Sequence, residues 1–220
     1  MSEITIIGGH GKVALQLSRL LSTQGDTVNA VIRKREQSQD VENTGATPVV
    51  ADVQELDVEA MTELFSGQDA VVWSAGAGGG DPERTYAVDR DAAIRSMDAA
   101  QAAGVTHYVM VSYMGAGQDH GVPEDNDFYS YAQSKADADD HLRESSLKWT
   151  ILGPGKLTDD ETTGMITTDP GQGDDAVDTA RGNVALVAAA ALAAPDTTVG
   201  KKIDFADGDT VITEGLAELS

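Results

Sequence analysis

A glycine turn between a short apolar strand and an amphipathic helix constrains this chain more than any other feature. The β-branched run Ile4–Ile7 leads into Gly8-Gly-His-Gly-Lys-Val-Ala14, and apolar residues then recur at helical spacing across Lys12–Gln24. The segment from Gly9 matches G-x-G-x-x-G/A, and from Gly8 it also matches G-x-x-G-x-x-A. This is the fingerprint of a dinucleotide-binding βαβ unit, in which small residues permit a tight turn and a close backbone approach to the pyrophosphate.

The helix after the turn predicts where the pyrophosphate lies. Unpaired N–H groups and the macrodipole at a helix N-terminus favour an anion. The residues expected at the pyrophosphate are Gly8, Gly9, His10, Gly11, Lys12 and Val13. Two interpretations of His10 stay open, namely contact with a phosphate or a turn residue that faces solvent.

The end of the second predicted strand indicates which dinucleotide binds. NAD binders usually place a carboxylate about 20 residues after the fingerprint, whereas here Arg33, Lys34 and Arg35 follow the strand and the first acid is Glu36. An arginine fork suits a 2′-phosphate, which a carboxylate would repel. The sequence therefore predicts a preference for NADP(H) over NAD(H), and the alternative is that the basic trio forms a solvated turn.

The charge balance limits the possible partners. The chain carries 37 Asp and Glu against 15 Lys and Arg, a formal net charge of −22. Such a field repels nucleic acid and anionic membrane surfaces, so neither is expected as a partner. The low aromatic content of 5% and the scarcity of lysine also suggest adaptation to high salt, although an acidic protein from a high-GC bacterium would look similar.

Cysteine usage and the apolar runs narrow the class further. The chain has no cysteine, which excludes disulfides, thiolate–zinc sites and cysteine nucleophiles. The four histidines show no convincing metal spacing, so no metal is predicted. The first strand starts too early for a signal peptide, and the apolar stretch Val184–Ala194 is too short to span a bilayer. We therefore expect a cytoplasmic protein.

Apolar runs and helical patterns alternate along the chain. The predicted strands are Ile4–Ile7, Thr27–Ile32, Thr47–Ala51, Ala70–Ser74, His107–Val111, Trp149–Leu152 and Lys202–Phe205. The predicted helices are Lys12–Gln24, Glu55–Phe65, Glu83–Ala103, Asp127–Ser145 and Thr179–Ala193. Continuous apolar strands alternating with helices indicate a parallel sheet covered on both faces. The expected fold is α/β, a Rossmann-like doubly wound parallel sheet, with residues 1–220 forming a single NAD(P)-binding domain.

Three irregular segments follow strands at their carboxyl ends. They are Gly76–Pro82, Gly115–Asp125 and Pro154–Gly173. Ligands bind at this rim in open α/β sheets. These loops are therefore expected to form the side that binds a small-molecule substrate.

A tyrosine and a lysine four residues apart are the candidate catalytic pair. Tyr131-Ala-Gln-Ser-Lys135 lies in a predicted helix, so both side chains share one helix face. An ammonium beside a phenol stabilises the phenolate and lowers the tyrosine pKa, so that the phenol can exchange a proton with a carbonyl oxygen. Ser112, just past the fifth strand, is placed to hydrogen-bond the same oxygen. Tyr113 and Tyr129 compete for the acid role.

In this order the pieces resemble an atypical short-chain dehydrogenase/reductase of the NAD(P)-binding, NmrA-like and epimerase-like group. The matching pieces are Gly8-Gly-His-Gly-Lys-Val-Ala14, Val50-Ala-Asp52, Trp73-Ser-Ala-Gly76, Tyr86-Ala-Val-Asp89, Val111-Ser112, Tyr131-xxx-Lys135 and Leu152-Gly-Pro-Gly155. The resemblance covers nearly the whole chain. It implies that Tyr131 and Lys135 occupy the catalytic positions and that Ser112 occupies the serine position.

The resemblance also assigns residues to the rest of the cofactor. It implies that Asp52 contacts the adenine amine, that Ala75 and Gly76 lie beside the adenine ribose, and that the segment after the sixth strand approaches the nicotinamide amide. The residues expected there, together with their neighbours, are Asp52, Val53, Ser74, Ala75, Gly76, Lys135, Pro154 and Gly155.

The leading hypothesis is an NADP(H)-dependent oxidoreductase, either a carbonyl reductase or a dehydrogenase, that uses the Tyr–Lys pair for proton transfer. A non-catalytic NADP(H)-binding redox sensor is the first alternative, and a small epimerase- or dehydratase-like enzyme is the second. The sequence leaves the substrate open and fits a monomer or a homodimer.

Overall fold

Strands and helices alternate in the computed structural model, which describes residues 1–78, 80–170 and 178–219. The strands are β1 (Glu3–Ile7), β2 (Thr27–Ile32), β3 (Thr47–Val50), β4 (Ala70–Trp73), β5 (His107–Val111), β6 (Lys148–Pro154), β7 (Lys156–Thr158), β8 (Met165–Thr167), β9 (Asp178–Ala180), β10 (Lys201–Asp207) and β11 (Thr210–Val211). The α-helices are α1 (Lys12–Gln24), α2 (Ser38–Glu42), α3 (Val58–Leu64), α4 (Pro82–Thr85), α5 (Ala93–Ala103), α6 (Tyr129–Glu144), α7 (Arg181–Ala193), α8 (Pro195–Thr198) and α9 (Ile212–Ala217). A 3-10 turn covers Arg35–Gln37, and a π-helical segment, Tyr86–Ala92, joins α4 to α5.

The sheet has a parallel body and an antiparallel edge. Across the described residues its strand order is β11-β8-β10-β6-β5-β4-β1-β2-β3. The run from β10 to β3 is parallel throughout, whereas β8 pairs antiparallel with both β10 and β11. β1 lies between β2 and β4, so the strand order reverses beside β1. A crevice opens at such a reversal, outside the carboxyl ends of the strands.

Each face of the sheet has its own apolar layer. One layer packs residues of β1 and β2 against α1 and α7, with Leu17 and Val184 fully buried. The other packs β4 and β5 against α3, α5 and α6, with Phe65, Trp73 and Met97 fully buried. Because helices cover both faces, the central strands read as continuous apolar runs. The predicted Rossmann-like doubly wound fold is confirmed.

The irregular segments were predicted less accurately than the core elements. Residues 115–125 contain no helix or strand, as expected. The prediction for Pro154–Gly173 is wrong in part, because Pro154 ends β6 and the segment contains β7 and β8. Its last three residues, 171–173, and Gly79 of the first loop lie outside the described residues. Pro82, expected in a loop, begins α4.

The helices are short for a membrane span. α7 is an apolar helix of 13 residues, whereas a span needs about 20. No helix within residues 1–78, 80–170 and 178–219 is long and apolar enough to cross a membrane.

Candidate cofactor cleft and active site

The glycine turn between β1 and α1 depends on the absence of side chains. Gly8 has φ +81°, and a Cβ there would lie 2.6 Å from the Cα of Ala75. A Cβ on Gly9 would lie 2.6 Å from the Cβ of Ala30 in β2. The tight turn therefore falls at Gly8, so the fingerprint is better described as G-x-x-G-x-x-A than as the version that starts at Gly9.

The N-terminus of α1 is open to an anion. Gly11 is its N-cap, with no side-chain cap, and the first turn holds no acidic residue. The backbone N–H groups of this turn and the helix dipole are therefore available to a pyrophosphate. The ammonium of Lys12 points elsewhere, because it forms an ion pair with Asp159, which also pairs with Arg181 at 2.8 Å.

A cleft of about 390 Å³ opens at the carboxyl ends of β1 to β4. Of the residues predicted to bind the cofactor, it is lined by Gly8, His10, Gly11, Arg33, Asp52, Val53, Ser74, Ala75 and Gly76. Those that do not line it are Gly9, Lys12, Val13, Lys34, Arg35, Lys135, Pro154 and Gly155. The size and the open end match what a nucleotide needs.

Two of the residues outside the lining lie at the end of β6. Pro154 is the last residue of β6, and its carbonyl accepts a hydrogen bond from the N–H of Met114 at 2.9 Å. The N–H of Gly155 donates to the carbonyl of Phe205 at 3.0 Å. Their contact with a nicotinamide stays a prediction.

The basic trio after β2 is exposed. Within the described part of the chain, the side chains of Arg33, Lys34 and Arg35 make no hydrogen bond or ion pair, and of the three only Arg33 lines the cleft. In a chain with a net charge of −22, a guanidinium without a carboxylate partner is available to an anionic ligand.

Other polar side chains at the cleft are already partnered. Asp52 Oδ1 accepts a hydrogen bond from the N–H of Gln54 at 3.1 Å. His10 lies 2.8 Å from Asp40 Oδ2 through Nε2 and 3.1 Å from the amide of Gln37 through Nδ1. His10 therefore ties the glycine turn to the segment after β2, an arrangement that neither of its two sequence interpretations included.

Tyr131 lies in a group of aromatic rings at the start of α6. Its ring centroid is 5.6 Å from that of Tyr113 and 5.3 Å from that of Phe128. Phe128 is 43% exposed, so the group reaches the surface. Tyr129 packs instead against His120, with ring centroids 5.6 Å apart.

Lys135 is buried beneath this group. It is 1% exposed, and its Nζ donates to the carbonyl of Val111 at 2.8 Å. The carboxyl groups of Asp89 and Asp139 interact with it electrostatically, yet among the described residues no carboxylate lies within 4.0 Å of Nζ. Burial lowers the pKa of Lys135, and the two acids oppose that shift.

Ser112 is bonded to an aspartate rather than directed to open space. Ser112 Oγ lies 2.8 Å from Asp139 Oδ2, and the hydroxyl donates when the carboxylate is ionised. Burial raises the pKa of Asp139, whereas Lys135 and the bond to Ser112 act in the opposite direction.

The predicted electrostatic effect of Lys135 on Tyr131 is wrong for this arrangement. Burial raises the pKa of Tyr131 well above its usual value, and Asp89, Tyr113 and Asp139 raise it further. The cause is physical, because desolvation and nearby negative charge both disfavour a phenolate. Tyr131 therefore carries its proton at neutral pH.

Three polar residues of the site were not predicted. Arg84 lines the cleft and donates to the carbonyl of Ala77, while Asp89 Oδ2 accepts from the N–H of Ala77 at 2.9 Å. Asp139 had a usable sequence feature, because it follows Lys135 by four residues and so shares its helix face. Asp89 lies in Tyr86-Ala-Val-Asp89, one of the pieces that carry the resemblance, but no role was assigned to it. For Arg84 no local pattern was available, and the π-helical turn changes which residues face inward.

No cluster that could hold a metal was found in the part of the chain that the structure describes. No group of three or more His, Asp or Glu side chains converges there.

The comparison with family models matches residues 8–195 to a model described as NAD(P)H-binding. That match spans most of the chain and includes both the glycine turn and α6. The chain belongs to this NAD(P)H-binding family.

Relatives of full length support this membership. The chain is 32% identical to an uncharacterized sugar epimerase of Bacillus subtilis, over 99% of this chain and 100% of the relative. It is 31% identical to a UPF0659 protein of Saccharomyces cerevisiae, over 99% of this chain and 98% of that one. Relatives of this chain over nearly its whole length thus occur in bacteria and yeast.

Solved structures give the same result in three dimensions. A Bacillus halodurans protein provisionally named an NAD-dependent epimerase/dehydratase superposes with a TM-score of 0.89 at 31% identity, covering 99% of this chain and 100% of its own. An oxidoreductase of Lactococcus lactis gives 0.84 at 30% identity, covering 99% and 96%. The resemblance to atypical short-chain dehydrogenases/reductases is confirmed for this NAD(P)H-binding chain.

Proposed function

We propose that the chain is an NADP(H)-dependent oxidoreductase that reduces a carbonyl or quinone group of a small molecule. The observation that carries the proposal is the cleft, in which the glycine turn and the guanidinium of Arg33, which has no partner among the described residues, line one cavity. A pyrophosphate fits the uncapped start of α1, and a 2′-phosphate fits Arg33. When bound, the reduced nicotinamide supplies a hydride to the substrate carbon.

Tyr131 is the proposed proton donor. Its raised pKa keeps the phenol protonated, which suits donation to a carbonyl oxygen as that oxygen gains negative charge. The same shift leaves little phenolate at neutral pH to accept a proton from an alcohol, so we propose that the working direction is reduction. The carbonyl becomes an alcohol, and solvent returns the proton to the phenolate.

Lys135 and Ser112 have supporting roles in this proposal. Lys135, held by the carbonyl of Val111, is proposed to anchor the ribose of the nicotinamide. Ser112 hydrogen-bonds the substrate oxygen. Asp52 contacts the adenine amine, and Ala75 and Gly76 form the floor beside its ribose. We keep the predictions of a cytoplasmic protein and of a monomer or homodimer.

Calorimetric titration with NADPH and NADH tests the cofactor, and a panel of aldehydes, ketones, quinones and flavins with NADPH tests turnover. We expect micromolar binding of NADPH, weaker binding of NADH, and oxidation of NADPH with at least one acceptor. Absence of heat with both coenzymes, at a salt concentration where the protein is folded, would refute the proposal.

A non-catalytic NADP(H) sensor is the second candidate. The bond between Ser112 and Asp139 favours it, because an ionised Asp139 would engage the hydroxyl that a substrate needs. Tight NADPH binding without oxidation by any acceptor of the panel would support the sensor.

An epimerase- or dehydratase-like enzyme is the third candidate. It is favoured by the full-length match to the Bacillus subtilis relative, which is named a sugar epimerase. Such an enzyme regenerates its coenzyme in every cycle. Turnover of a nucleotide sugar without any net change in nicotinamide absorbance would therefore distinguish it from a reductase.

A further inference from the structure

Three ionisable side chains are enclosed together beside the proposed active site. Asp89 and Lys135 are each 1% exposed, and Asp139 is fully buried. Among the described residues none of the three forms an ion pair within 4.0 Å. If all were ionised, the cluster would hold two negative charges and one positive charge away from water.

An uncompensated buried charge is strongly unfavourable, so a group in this position takes up or loses a proton. One proton on one of the two carboxyl groups makes the cluster neutral. The question is which aspartate holds it.

The hydrogen bonds distinguish Asp89 from Asp139. Asp89 Oδ2 accepts from the N–H of Ala77, a donor that cannot reverse. Asp139 Oδ2 is bonded to the hydroxyl of Ser112, which can donate or accept. Among the described residues, Oδ1 of each aspartate is buried without a hydrogen-bond partner, so neither group has the several donors that normally stabilise an ionised interior carboxylate. A proton on Asp139 Oδ2 has Ser112 Oγ as its acceptor, whereas a proton on Asp89 would lie on Oδ1, which has no acceptor among the described residues.

The groups that face Asp139 do not provide enough compensation. They are Lys135, Arg143 and Tyr131 on its own helix, Tyr113 after β5, and Lys202 on β10. Of these cations, Lys135 has the largest electrostatic effect on Asp139, but it interacts with Asp89 as well. Burial outweighs all of them and raises the pKa of Asp139.

We propose that Asp139 is a neutral carboxylic acid that donates its proton to Ser112 Oγ, so that the Ser112 hydroxyl donates to the carbonyl oxygen of the substrate. Asp139 is thus a positioning residue that acts through Ser112. A hydroxyl that accepts one hydrogen bond becomes a better donor in the next. The outward donation rests on the proposed reduction, whereas the protonation of Asp139 does not.

Carbon-13 NMR of protein labelled at its aspartate carboxyl carbons tests the protonation directly. We expect one carboxyl signal in its protonated position at neutral pH in the wild type, with and without NADPH. The signal should be lost in Asp139→Asn and kept in Asp140→Asn, which makes the same side-chain replacement at a partly exposed neighbour paired with Arg143. A wild type whose carboxyl signals are all ionised at neutral pH overturns the proposal, as does a protonated signal that survives in Asp139→Asn.

Kinetics with NADPH and menadione, a quinone of the panel, test the action through Ser112. Asp139→Ala should lower kcat about 10- to 100-fold with little change in KM. Asp139→Asn, whose amide also donates to Ser112, should recover most of that loss. In a Ser112→Ala background, Asp139→Ala should have no further effect, and an additive loss overturns the proposed route.

These measurements separate two kinds of failure. A wild type that binds no NADPH contradicts the proposed function, while the NMR result still decides the state of Asp139. If Asp139→Ala does not fold, Asp139→Asn and the wild-type spectra provide the decision.

Discussion

The cofactor cleft and the interior around Lys135 treat charge in opposite ways. At the cleft, the guanidinium of Arg33 is exposed and has no partner in the described chain, and the start of α1 has no acidic residue. Around Lys135, an ammonium and two carboxyl groups are enclosed without direct ion pairs. The charged groups of the cleft are therefore exposed to solvent and available to a ligand, whereas those around Lys135 are buried away from solvent.

The difference determines how each region responds to change. Exposed charges are screened by salt, so the cleft should respond to side-chain replacement and to ionic strength. Buried charges respond to pH, because small changes in their surroundings change which group holds a proton. Binding should thus depend on the first region and proton transfer on the second.

Replacement of the proton donor has the largest expected effect and tests the buried region. Tyr131→Phe should lower kcat about 100- to 10,000-fold while NADPH affinity changes little. The measurement is steady-state turnover of an acceptor identified by the panel. Tyr129→Phe, two residues earlier in α6 and packed on His120, is the control. Unchanged turnover in Tyr131→Phe would show that Tyr131 is not the acid.

A methyl group added in the glycine turn tests whether this turn binds the coenzyme. Gly8→Ala places a Cβ within 2.6 Å of the backbone of Ala75 at a positive φ, so we expect NADPH affinity to fall about 100-fold or more. Gly67→Ala is the matched control, since its φ is +75° and nothing lies within 4 Å. It should cost about 1 kcal/mol of stability and leave calorimetric binding intact. An equal loss of NADPH affinity in Gly8→Ala and Gly67→Ala would contradict a specific role of the turn in binding.

Replacement of Arg33, whose guanidinium lines the cleft, tests the preference for NADP(H) over NAD(H). Arg33→Ala should weaken NADPH binding about 10- to 100-fold, because a charge-assisted hydrogen bond to the 2′-phosphate is lost. NADH binding should not change. Arg19→Ala, on the exposed side of α1, is the control. If the two coenzymes weaken equally in Arg33→Ala, the preference for NADP(H) has another origin.

A buried histidine outside both regions tests how a buried titratable group makes stability depend on pH. Burial lowers the pKa of His107 from 6.5 to about 4. The unfolded state therefore binds the extra proton first, and stability falls as the pH drops from 6.5 towards 4. From these two pKa values the loss at pH 5 is about 2 kcal/mol. Urea unfolding of His107→Gln should lack this loss relative to its own stability at pH 7, and identical pH dependence in both proteins would contradict the assignment.

Salt should have the smallest effect and acts on the exposed charges of the whole chain. With a net charge of −22, screening should raise the melting temperature by several degrees between low and molar KCl. Differential scanning calorimetry gives the answer. A melting temperature that does not rise would contradict adaptation to high salt.

The central elements were predictable because each carries its own local pattern. β2, β5 and α1 have the predicted bounds, and most of the other long elements differ by a few residues at their ends. The prediction of one continuous helix over Glu83–Ala103 is wrong, because α4, the π-helical segment Tyr86–Ala92 and α5 divide that stretch. The short strands β7, β8, β9 and β11 have two or three residues each. Their pairing depends on partners far along the chain, which no short window of sequence can specify.

The site was predictable where backbone conformation alone sets it. Gly8 and Gly11 follow from the turn, and Arg33 follows from its place at the end of β2. The electrostatics were not predictable, because the pKa of Tyr131 depends on Asp89, a residue brought near only by tertiary packing. Spacing in the helix placed Tyr131 and Lys135 on one face but did not reveal that Lys135 would bond to Val111.

The π-helical segment has a consequence for how such a chain can diversify. Its wide turn accommodates one residue more than an α-helical path, so Arg84 and Val88 meet the cleft while Met97 remains in the apolar layer. Deletion of a single residue in this segment would rotate α4 relative to α5 by roughly 100° about the helix axis. A new set of side chains would then face the ligand although the sheet had not been altered, which is a short evolutionary path to a different substrate.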